Sequence, residues 1–104
     1  MVSRLRHRLS LQQEVQTADG AGGYIRTWQT LADLWAEFQA VTGKEILIAG
    51  KLQSEVSHKI TIRYRTGVTA GMRLVYDSRI FDIKAVVNKQ ENDEVLELWV
   101  SEND

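Results

Sequence analysis

The sequence predicts a mainly β, single-domain protein: a small antiparallel β-barrel or sandwich. Three observations predict it. Residues 55–64 alternate strictly, with Val56, His58, Ile60, Ile62 and Tyr64 on one face and Ser57, Lys59, Thr61 and Arg63 on the other, the mark of a strand with one buried face. Turn-forming clusters recur at 17–23, 65–71, 77–79 and 88–93, between short apolar runs. No run of strand, long helix and strand occurs, so the connections are hairpins rather than parallel crossovers. The count is about six to seven strands, with one short helix near residues 43–50.

Taken in order, Leu5, His7, Leu9 and Leu11 alternate with Arg4, Arg6, Arg8 and Ser10, giving a first strand over 5–15. Residues 17–23 (Thr-Ala-Asp-Gly-Ala-Gly-Gly) form a glycine-rich turn, expected to be mobile in the isolated subunit and ordered on assembly. Tyr24 to Trp28 resume strand chemistry, so 5–28 reads as a hairpin. Residues 31–41 fit two periods: Leu31, Leu34, Trp35, Phe38 and Val41 at helical spacing, Leu34, Ala36, Phe38 and Ala40 at strand spacing. Period counting alone favours the helix.

Thr42-Gly43-Lys44-Glu45 has the form of a capping box, which predicts a short helix through Ile46, Leu47 and Ile48. Three branched apolar residues in one turn exceed what one buried face needs, so they are candidates for burial by a partner. The strand at 55–64 follows and is expected to be central. Strands at 72–76 and 80–87 flank the polar turn Asp77-Ser78-Arg79. The last strand covers 95–100 with Leu96, Leu98 and Val100 inward, and the final four residues are expected to fray. Trp35, Ile60, Ile62 and Phe81 are the predicted core.

Composition narrows the function. The chain has 104 residues, enough for one core, and its 43% hydrophobic and 26% charged residues are ordinary for a globular domain. It shows no signal-peptide pattern and no apolar run near the roughly 18 residues of a membrane span. The absence of cysteine excludes disulfides and, with only two histidines, argues against structural zinc. Cofactors are expected to be none. His7 and His58 fall on apolar strand faces and read as half-buried, hydrogen-bonded residues rather than catalysts. Asp19-Gly20-Ala21-Gly22-Gly23 lacks the Lys-Ser/Thr of a phosphate loop. No nucleophile, base and orienting acid converge in the pattern, so no enzyme is predicted.

Charge is uneven although the net value is −1. Arg4, Arg6 and Arg8 crowd the first strand, while Glu91, Asp93, Glu94, Glu97, Glu102 and Asp104 crowd the last stretch. The ordinary reading is two solvated ends; the sharper one is complementary surfaces on neighbouring copies. Arg63, Arg65 and Arg73 with Tyr64 and Tyr76 offer a second hypothesis, a barrel face for single-stranded nucleic acid, against which the slightly acidic net charge counts.

An ordered series of fragments resembles the head–tail joining proteins of long-tailed phages, the head-completion, head-closure or stopper proteins. The series runs through residues 5–12 (Leu-Arg-His-Arg-Leu-Ser-Leu-Gln), Gly23-Tyr24, Thr27-Trp28, Leu34-Trp35-Ala36, Thr42-Gly43-Lys44-Glu45, residues 58–64, Gly71-Met72-Arg73 and residues 79–83. It covers nearly the whole chain. The resemblance implies a β-barrel that forms a ring of about six or twelve copies. The portal or adaptor protein would lie on the head side, a tail-completion protein on the tail side, and double-stranded DNA in the channel without sequence-specific contacts. It also implies a virion location at the head–tail interface, reached from the host cytoplasm, closure of the DNA channel after packaging, and a docking surface for the tail. Leu34-Trp35-Ala36 then belongs on a strand, against the helical period. Candidate subunit or partner contacts are Arg4, Arg6, Arg8, Ile46, Leu47, Ile48, Glu94 and Glu97. The candidate channel or neighbour loop holds Asp19, Gly20, Gly22 and Gly23.

Overall fold

The computed structural model describes residues 5–41, 46–48, 51–53, 56–88, 91 and 93–103. Its strands are β1 (His7–Ala18), β2 (Tyr24–Ala40), β3 (Ile46–Ile48), β4 (Lys51–Gln53), β5 (His58–Arg63), β6 (Arg73–Tyr76), β7 (Arg79–Asn88) and β8 (Val95–Asn103). Six of them close an antiparallel barrel in the order β1-β2-β5-β8-β7-β6, and β3 and β4 form a separate two-stranded hairpin. No α-helix occurs among the described residues.

The interior follows the period-two pattern strand by strand. Leu9 and Leu11 of β1, Ala36 of β2, Ile60 and Ile62 of β5, Leu74 of β6, Phe81 and Ile83 of β7, and Leu96, Leu98 and Val100 of β8 are buried together. Register aligns them: Ala36 faces Ile62, which faces Leu96, and Phe38 faces Ile60, which faces Leu98. Paired residues in a sheet share a face, so one inward residue commits its partners. A bulge between Ile83 and Ala85 shifts the phase of β7, and Val86 rather than Ala85 then packs on the core.

Three expectations are corrected, and a fourth holds. Residues 46–48 form a strand, with Ile46, Leu47 and Ile48 opposite Gln53, Leu52 and Lys51; branched side chains favour extended backbone, and a helix this short is too costly to nucleate. The capping box at 42–45 lies outside the described residues. The span 31–40 is strand throughout, as the resemblance implied and the helical period did not. Trp35 is not core: Leu34, Ala36 and Phe38 take the inward positions, so Trp35 points outward and is 51% exposed. The chain end does not fray at 101–103, because Ser101, Glu102 and Asn103 pair with Asp82, Phe81 and Ile80. Ile60, Ile62 and Phe81 are buried as expected.

β1 and β2 are longer than the barrel wall. β1 meets β6 only through Ser10, Leu11 and Gln12, and β2 meets β5 only through 36–40. Beyond those contacts, among the described residues, 13–18 and 24–30 pair only with each other, forming a two-stranded arm of roughly 20 Å at the usual strand rise. The molecule measures 49 × 28 × 27 Å. A bulge between Leu11 and Gln12 marks the arm's root, where Leu31 is the extra residue.

Candidate interaction surfaces

The arm follows from its sequence. Inward apolar alternation stops at Leu11, and Gln12, Gln13, Glu14, Gln16 and Thr17 give the ribbon no core to cover. Cross-strand polar contacts hold it instead: Arg26 pairs with Glu14 at 3.1 Å, and the Gln12 amide donates to the Thr30 hydroxyl at 3.2 Å. At its base the Arg73 guanidinium donates to Gln12 Oε1 at 2.7 Å and lies over the Trp28 ring. Asp19 organises the tip. Its Oδ1 accepts the amides of Ala21 and Gly23 at 2.7 and 3.1 Å, and these bonds hold its carboxyl below the usual range. Gly20 and Gly22 adopt φ of 82° and 86°, a backbone that glycine takes without a Cβ clash.

The structure distributes the predicted interface residues as follows. Arg6 and Arg8 are exposed on or beside β1, Arg8 stacking on Trp35 at 5.1 Å. Arg4 lies outside the described residues. The backbones of Ile46, Leu47 and Ile48 form β3; their side chains lie outside the described residues. Glu97 on β8 accepts from Lys59 at 3.4 Å, so it is already engaged within the chain. The Glu94 carbonyl accepts the Tyr64 amide at 3.0 Å. Asp93 exchanges hydrogen bonds with Asn88 across the β7–β8 turn.

The basic-aromatic set predicted for nucleic acid is split: Arg63, Tyr64 and Arg65 line one groove, while Arg73 and Tyr76 lie elsewhere. Arg63 lies on β5 and Arg73 on β6, on opposite sides of the six-strand order. Tyr76 joins an aromatic cluster with His7, Phe38, His58 and Phe81, its hydroxyl 3.1 Å from His7 Nδ1. Desolvation lowers the pKa of His58, aided by the Arg79 charge and opposed by Glu102.

Sequence reasoning missed one feature. Where β2 and β5 separate, Asp33, Leu34, Trp35, Arg63, Tyr64 and Arg65 line a groove of about 270 Å³. The signal was Trp35, an outward aromatic between two inward residues, once the strand period is chosen over the helical one.

A closed antiparallel barrel with a projecting arm and charged outer strands is a small interaction module. Among the described residues no group of three His, Cys, Asp or Glu side chains could hold a metal ion. The family model for the phage head completion protein matches residues 1–103, and the chain belongs to that family. Its role is structural, in head completion, and its place is the virion at the head–tail interface. Two solved structures are similar. One is a chain of the virion of a native gene transfer agent particle, at 28% identity and TM-score 0.70, covering 96% of each chain. The other is the solution structure of protein SF1141 from Shigella flexneri 2a, at 28% identity and TM-score 0.77, covering 98% of this chain and 96% of that one. No curated protein matches.

Proposed function

We propose that the chain is a non-enzymatic subunit that assembles head-to-tail into a ring at the head–tail joint. The ring closes the DNA channel after packaging and offers the surface on which the tail docks. The observation that carries this reading is the placement of β1 and β8. In the order β1-β2-β5-β8-β7-β6 they lie three strands apart in either direction, on opposite sides of the barrel. Arg6 and Arg8 therefore face away from the side that carries Glu94 and Glu97. A cyclic ring needs two unlike surfaces on each copy, and this arrangement supports the reading.

Exposed charge pairs contribute under about 1 kcal/mol each, so they set register and association rate. Apolar burial at Ile46, Leu47 and Ile48 supplies the holding energy in this reading. The arm tip at Asp19, Gly20, Gly22 and Gly23, or the β3–β4 hairpin, reaches the channel or the next copy. Portal or adaptor protein on one side and tail-completion protein on the other are the proposed neighbours, with DNA passing through the ring.

The test is complementation of a phage that lacks this gene. Wild-type chain restores DNA-filled heads that accept tails. Arg6→Glu with Arg8→Glu slows that recovery and weakens its salt dependence, and Ile48→Asp abolishes it while the purified subunit stays folded. Normal heads and tails from both variants would overturn the interface.

A further inference from the structure

We propose that the groove between β2 and β5 is a docking site for an extended, acidic segment of a partner protein, bound by adding a strand to the open edge of β2. The inference rests on reading the chain as an assembly subunit.

The groove exists because two strands part. β2 and β5 pair from Ala40 opposite His58 up to Ala36 opposite Ile62. Past that point the chain leaves β5, and the Tyr64 amide turns to the Glu94 carbonyl. Residues 24–35 of β2 are then left, among the described residues, with no strand on their β5 side. Unpaired backbone donors and acceptors in a row are a template for another strand.

The side chains state what that strand carries. Leu34, Trp35 and Tyr64 line the gap, and Trp35 and Tyr64 are large hydrophobics left exposed. Two guanidinium groups, Arg63 and Arg65, face one carboxylate, Asp33, and that carboxylate already accepts the Ser10 hydroxyl at 3.0 Å. The Nε of Arg65 is buried without a hydrogen-bond partner. A buried donor left unpaired is costly, and a carboxylate is the acceptor that a guanidinium fork fits best. An aliphatic side chain against Trp35, beside a carboxylate on Arg65, satisfies both requirements.

A peptide fits better than a nucleic acid strand. Only a peptide can continue the backbone ladder of β2.

Purified full-length chain is titrated with three probes while its amide NMR spectrum is followed. These are a short blocked peptide of alternating glutamate and valine, its lysine–valine counterpart, and oligothymidylate, each to about millimolar concentration. The acidic peptide is expected to shift the amides of residues 31–36 and 63–65, and the lysine peptide to leave them unchanged. Arg65→Gln should weaken binding about tenfold at unchanged melting temperature, with Trp35→Ala as an independent second variant. No shift with the acidic peptide, equal shifts with the lysine peptide, or preferential binding of oligothymidylate overturns the proposal. Head completion by the wild-type chain is read separately, so failure of this site leaves the ring reading intact.

Discussion

The Arg73 guanidinium lies 4.3 Å from the centroid of the Trp28 ring. One residue belongs to the barrel wall and the other to the arm, so this contact, with the Arg73–Gln12 hydrogen bond, clamps the arm to the barrel. A cation over an aromatic face contributes roughly 1 kcal/mol at a partly exposed site. Arg73→Ala should therefore lower stability by about that much and speed hydrogen exchange along 13–17 and 25–30, while core amides of β5 and β8 stay protected. Unchanged arm exchange would show that cross-strand pairing alone holds it.

Two aromatic residues should separate core from surface. Phe81 is fully buried and Trp35 half-exposed. Phe81→Ala should cost about 3–5 kcal/mol, a large share of the stability of a domain this size. Trp35→Ala should cost under about 1 kcal/mol. Chemical denaturation of both variants checks the outward facing of Trp35.

Acid should weaken the fold in two steps. Desolvation and then Arg79 hold His58 below its ordinary 6.5. Between the folded and unfolded values the unfolded chain binds more protons, so stability rises with pH through that window and is lost as pH falls through it. Glu102 is held below its ordinary 4.5, chiefly by the hydrogen bond from Arg79, and adds a loss at lower pH. Denaturant midpoints measured from pH 8 down to about 4 should begin to fall below about pH 6.5, and His58→Gln should flatten chiefly the first step.

Asp19 should govern the tip and nothing else. Replacing it with alanine removes the acceptor for the amides of Ala21 and Gly23, so exchange there should accelerate at an unchanged melting temperature. A drop in melting temperature would mean that the tip is coupled to the barrel.

The barrel was legible because its wall residues obey one period. Leu9, Ile60, Ile62, Phe81, Leu96 and Leu98 each lie where alternation puts them. Period counting alone favoured a helix over 31–41 because Leu31, Leu34, Trp35 and Phe38 repeat at helical spacing by coincidence of a bulge residue (Leu31), two inward residues (Leu34 and Phe38) and one outward aromatic. The local pattern likewise pointed to a helix through 46–48, whose pairing with 51–53 makes it a strand. Of the surfaces, the charged strands were legible as lists of residues. Their position on opposite sides of the barrel was not, since it depends on β5 inserting between β2 and β8. The groove was invisible for the same reason: it is made by two strands diverging.

The seam that closes the barrel is short. β1 and β6 share three residue pairs, Ser10 with Val75, Leu11 with Leu74 and Gln12 with Arg73, and the last two partners stand 61 residues apart in the chain. The β1–β2, β6–β7 and β7–β8 hairpins join neighbours in sequence and form early, because closing a short loop costs little entropy. The seam brings together distant segments for only three pairs of contact, so it closes last. Folding should accordingly run on the millisecond-to-second scale of non-local β proteins, and Leu74→Ala should speed unfolding far more than it slows folding.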